Sequence, residues 1–67
     1  MEYLFTASYQ GLEARLVFQS FGLCMQARKV LQARGVHCGE IKPHLGSIHR
    51  SASELEAATR FVAFALA

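Results

Sequence analysis

Apolar and polar positions alternate with a period of two along residues 3–18, the spacing of a half-buried strand. With Gln10-Gly11 as a two-residue turn, Tyr9 faces Leu12, Ala7 faces Ala14, Phe5 faces Leu16 and Tyr3 faces Phe18. These side chains are all apolar or aromatic, and an antiparallel hairpin puts them on one face. The other face pairs Ser8 with Glu13, Thr6 with Arg15, Leu4 with Val17 and Glu2 with Gln19. A slip of one residue would mix the two sets, so the pattern specifies the register. Gln10 is a poor opening residue for a primed turn. The rival element, one long helix over residues 12–34, is weaker still, because Gly22 would interrupt it.

From Ser20 the period changes to that of a helix. Ser20 is a capping residue, the helix runs from Phe21 or Leu23 to Arg34, and Gly35 stops it. Leu23, Cys24, Ala27, Val30 and Leu31 share one side, expected to lie on the hairpin. Met25, Arg28, Lys29 and Gln32 share the opposite side. Val36–Lys42 reads as a third strand ending at Pro43, weakened by Gly39, and residues 43–50 read as a loop. Ser51-Ala52-Ser53-Glu54 matches a capping box, with Glu54 reaching back to Ser51. A last helix then starts at Ala52 and runs almost to the end of the chain. Leu55, Ala58, Val62 and Leu66 define its inner face, and Glu56 and Arg60 form a surface pair. Ala57, Phe61 and Phe64 fall on a different side. The rival element here is a buried strand over Arg60–Ala67, which the alanine content disfavours.

The expected fold is therefore a single α+β domain over residues 1–67. Its order is β-β-α-β-α, with an antiparallel hairpin, a third strand and two helices packed on one face. Composition agrees: 52% of residues are hydrophobic and 18% charged, which excludes a disordered tail. A chain this short buries only ~60% of its unfolded surface and commonly needs a further staple. Cys24 and Cys38 allow at most one disulfide. The first residues lack a basic region and a long apolar core, so no secretory signal is expected. Reduced thiols, a cytoplasmic location and no membrane span follow as expectations. Oligomerisation is left as the staple.

Candidate chemistry is sparse. His37, Cys38, Glu40, His44 and His49 cluster in sequence, but neighbours on a strand point to opposite faces, and the spacing matches no common zinc pattern. The expectation is no metal and no cofactor, with Cys38 a packed thiol rather than a nucleophile; a small metal-binding protein is the weakest alternative. No catalytic set is expected. Seven Lys and Arg against five Glu give a formal charge of +2, permissive for nucleic acid but small for a phosphate-tracking surface. Arg28, Lys29, Gln32, Arg34, Lys42 and Arg50 are the candidate contacts for nucleic acid or an acidic partner. The stronger signal is surplus apolar surface, assigned to Phe61, Phe64 and Ala57 on the last helix and to Leu4 and Val17 on the outer sheet face. The leading expectation is a small non-enzymatic protein, on the scale of a phage or mobile-element product, that binds a protein partner stoichiometrically as an inhibitor, adaptor or regulator. A homodimer through the last helix is its simplest form.

Overall fold

The computed structural model describes residues 1–66. The element order is β1 (Glu2–Tyr9), β2 (Leu12–Phe18), α1 (Phe21–Ala33), β3 (His37–Cys38), β4 (Lys42–His44) and α2 (Ala52–Leu66). It is an α+β domain whose antiparallel sheet carries two helices.

The hairpin forms in the expected register. Tyr3 pairs with Phe18, Phe5 with Leu16, Ala7 with Ala14 and Tyr9 with Leu12. Gln10 and Gly11 both adopt positive φ, 49° and 84°, the geometry that lets a two-residue turn follow the right-handed twist of the strands. Gln10 is the one non-glycine residue with positive φ among those described. Phe5, Ala7, Ala14 and Leu16 are buried, and the Phe5 and Phe18 rings stack at 5.9 Å.

Strand β1 is central, with β2 on one side and β3 and β4 on the other. The expected third strand, Val36–Lys42, is present but broken into β3 and β4, and it starts one residue later and ends two residues later, at His44. Ala7 pairs with Cys38 and Ser8 with His37, whereas Leu4 pairs with Lys42, Tyr3 with Pro43 and Glu2 with His44. Residues 39–41 thus oppose only Phe5 and Thr6, which is a β-bulge. Gly39 anchors it by donating its N–H to the Thr6 carbonyl at 2.8 Å. Pro43 does not end the strand. It lies on an edge, where a missing N–H leaves no ladder partner stranded.

Helix α1 begins as expected: the Ser20 hydroxyl accepts from the Leu23 N–H at 3.1 Å. Gly35, at φ 89°, turns the chain out of the helix. Cys24 and Leu31 reach the core, but Leu23 is exposed. In α2 the Ser51 hydroxyl accepts from the Glu54 N–H at 3.1 Å, the first half of a capping box. The reciprocal half is replaced, because the Glu54 carboxylate turns to Arg15 instead.

The inner face of α2 is the main correction. Phe61 and Ala57 are only 3% and 4% exposed and belong to the core with Ala58, while Leu55 and Leu66 are 47% and 83% exposed. The helix is rolled roughly a quarter turn from the orientation its largest aliphatic residues suggest. Small Ala57 and Ala58 let its backbone approach the sheet, so Phe61 becomes the deep anchor. Residues 60–66 are helical rather than extended; Ala67, the end of the rival strand, lies outside the described residues.

Candidate functional site

With α2 so rolled, its aliphatic side chains form a ridge instead of a core. Val62 and Leu66 stand on that ridge with a groove on each side. The first, of about 370 Å³, lies between α1 and α2 and is lined by Phe18, Leu23, Val30, Val62 and Leu66. None of its lining side chains is charged. The second, of about 440 Å³, lies between α2 and the β2 edge and includes Val17, Leu55, Thr59 and Leu66. Its one charged residue, Arg50, points its guanidinium to the Arg15 carbonyl at 2.8 Å.

That Arg50 contact is part of a polar clamp on the free edge of β2. The Arg15 N–H donates to the Glu54 carboxylate at 3.0 Å, and the Arg15 guanidinium grips both carboxylate oxygens at 2.8 Å. The same guanidinium donates to the His49 carbonyl at 2.9 Å. An edge strand leaves its outward N–H and C=O groups as a template for another chain. At Arg15 both groups are occupied by side chains. The hydrogen bonds from Arg15 hold the Glu54 carboxyl down to about 2, against an opposing effect of burial. The other edge is treated alike, for Arg28 donates to the Gly39 carbonyl at 2.7 Å.

These contacts disperse the expected basic site. Arg28 and Arg50 serve opposite edges of the sheet, and Lys42 lies on β4. The Arg34 guanidinium sits 5.3 Å over the Phe64 ring, and Arg60 pairs with Glu56 at 3.0 Å. All five arginines therefore engage groups within the chain. Lys29 and Gln32 are exposed on α1.

The expected apolar site is rearranged as well. Ala57 and Phe61 are in the core and offer no surface. Phe64 is half-exposed and stacks on Tyr9 at 6.3 Å. Leu4 and Val17 face each other on the outer side of the hairpin, both half-buried. The side chains that do gather at the surface are Leu23, Leu55, Val62 and Leu66. Sequence contained one signal for this, the small alanines next to Phe61, which mark the side of closest approach.

Among the described residues, no group of three or more His, Cys, Asp or Glu side chains is placed to hold a metal ion. Cys38 is buried while its neighbour His37 is exposed, and His44 pairs with Glu2 at the far end of β1. Both thiols are free and buried. Burial pushes the Cys24 and Cys38 thiols up, an effect that the nearby Arg28 charge only partly offsets. Since the thiolate is the reactive form, the folded protein should react with a chromogenic thiol reagent orders of magnitude more slowly than the unfolded chain. A rapid full titre in native buffer would contradict this placement. No described helix is long and apolar enough to cross a membrane.

Compared with protein families, curated proteins and solved structures, the chain matches none of them. Any functional reading therefore rests on the geometry above.

Proposed function

We propose that this protein is a non-enzymatic binding protein that acts stoichiometrically on a protein partner, as an inhibitor, adaptor or regulator. The observation that carries this reading is the clustering of exposed Leu23, Val62 and Leu66 around an uncharged groove between α1 and α2, with exposed Leu55 in the groove on the other side of the ridge. Contiguous apolar surface on a small domain marks an interaction site. Self-association is the simplest use of such a face, and a cytoplasmic setting suits the two free thiols. The nucleic-acid reading has less behind it, since the arginines that would meet phosphate are turned onto carbonyls, carboxylates and a ring within the chain.

The test uses Leu23→Glu, which puts a carboxylate on the rim of the groove at a position 57% exposed, so the fold should survive. The wild-type chain used as bait in its native host should retain a partner at stoichiometric yield, and Leu23→Glu should lose it. A partner kept equally well by Leu23→Glu, or one removed by raising salt as phosphate contacts are, would count against the proposal.

A further inference from the structure

We infer that residues 49–54 are a strap across the free edge of β2, an autoinhibitory contact that keeps β2 from pairing antiparallel with β2 of a second copy of this chain.

The register decides which groups β2 exposes. Tyr9 and Leu12 flank a two-residue turn, so they form a hydrogen-bonded pair, and such pairs recur at every second position. Ala14 and Leu16 therefore spend their N–H and C=O groups on β1. Glu13, Arg15 and Val17 point theirs out of the sheet, because β2 is its edge. Arg15 supports this parity independently, since side chains rather than β1 meet both of its backbone groups. Outward groups at every second position make this seven-residue strand a template for another chain.

The strap closes the template at its centre. Glu54 accepts from the Arg15 N–H at 3.0 Å, and Arg50 donates to the Arg15 carbonyl at 2.8 Å. The Arg15 guanidinium in turn ties down Glu54 and the His49 carbonyl. An incoming strand meets Glu54 and Arg50 where its ladder should run, which leaves Glu13 and Val17 as isolated residues on either side. The opposite edge is closed by different means, so closure extends to the whole sheet. There Arg28 donates to the Gly39 carbonyl at 2.7 Å, and Pro43 on β4 has no N–H to offer.

Charge selects the occupant and its register. In an antiparallel β2–β2 pair centred on Ala14, Glu13 of each chain lies opposite Arg15 of the other. Opposite charges facing each other across strands are favourable and like charges are not. Centring the pair on Arg15 would instead oppose two arginines. Glu13 is exposed and makes no ion pair with any described residue, so it is free to meet a copy. Arg15 cannot hold Glu54 of its own chain on the β2 edge and pair there with a second strand. Strap and strand pairing are therefore mutually exclusive.

Sedimentation equilibrium and amide exchange test the strap. Pairing must break it in both copies, and hydrogen bonds to charged groups of this kind are worth about tenfold per copy. The double variant Arg50→Ala/Glu54→Ala should thus self-associate on the order of 100-fold more tightly than the wild type, with its circular dichroism kept. On association its Glu13 amide, unbonded in the wild type, should become protected from hydrogen exchange. Adding Glu13→Lys should return association to the wild-type level, because it sets Lys against Arg15 of the copy. Phe64→Ala destabilises the domain without touching the edge and should not tighten association. A folded double variant that associates no more than the wild type overturns the inference. So does association that survives Glu13→Lys, a Glu13 amide that stays exchangeable, or equal tightening by Phe64→Ala. If the double variant fails to fold, Arg50→Ala alone frees the Arg15 carbonyl and is read by the same measurements, with about tenfold expected. Contacts through the α2 ridge leave Glu13 untouched, so the apolar-face reading stands or falls separately, on Leu23→Glu.

Discussion

Phe61→Ala should leave the chain largely unfolded at room temperature, while Val62→Ala should melt close to the wild type. Phe61 is almost wholly buried among Ala57, Ala58 and the sheet. Truncating such a ring costs ~3–5 kcal/mol through lost transfer energy and the cavity left behind. A domain of this length holds only ~3–10 kcal/mol in total, at ~0.05–0.15 kcal/mol per residue, so one substitution can consume most of it. Val62 is exposed, and its loss should cost less than ~0.5 kcal/mol in the monomer, as for surface positions generally. Phe64→Ala should fall between, because it loses the stack on Tyr9 and the Arg34 contact, each worth ~0.5–1.5 kcal/mol. Urea unfolding followed by circular dichroism, at a concentration below dimer formation, measures the series. If Val62→Ala proved the more damaging, α2 would face the sheet with its other side.

Glu54→Ala should be the most damaging substitution at a charged residue, at about 2 kcal/mol, the scale of hydrogen bonds to a charged group. In a domain this small that lowers the melting temperature by roughly 10 °C. The carboxylate receives an N–H and a guanidinium from Arg15, and without it the β2 edge opens. Acid should reproduce the loss. The Glu54 carboxyl titrates lower in the folded chain, near 2, than its ordinary value of 4.5. Its contribution is therefore complete above pH 4.5 and disappears as pH falls toward 2. Thermal melts across that window should show the wild type losing stability more steeply than Glu54→Ala. Parallel curves would mean that the clamp does not hold in solution. Solubility offers a second readout, since an opened edge strand pairs with other chains.

The two substitutions sit where sequence reading was weakest. The hairpin register was legible to the residue because a strand has only two faces and a slip exchanges them. Helix caps at Ser20 and Ser51 were legible because they depend on atoms a few positions away. A helix has a continuum of faces, and on α2 apolar residues occupy most of the circumference. Weighting by aliphatic size chose Leu55, Ala58, Val62 and Leu66 for the inside; of these Ala58 is buried, and the structure sets Ala57 and Phe61 beside it instead of the three larger residues. Range hid the destination of Glu54: the local pattern pointed its carboxylate back to Ser51, whereas it accepts from Arg15, 39 residues away. Arg28 and Arg50 read as a basic surface for the same reason, since backbone carbonyls on sheet edges do not appear in a residue pattern.

Sequence by itself thus determined the α+β class, the hairpin with its register, and the starts of both helices. Each of these is decided by side-chain period or by groups within a turn of chain. Tertiary structure alone decided the roll of α2, the bulge that shifts the third strand between Cys38 and Lys42, and the use of arginines as edge clamps. These depend on how closely two elements approach and on which polar groups an edge leaves unpaired. The roll matters most for function, because it turns an aliphatic seam outward and makes the apolar surplus of the chain a surface rather than a core.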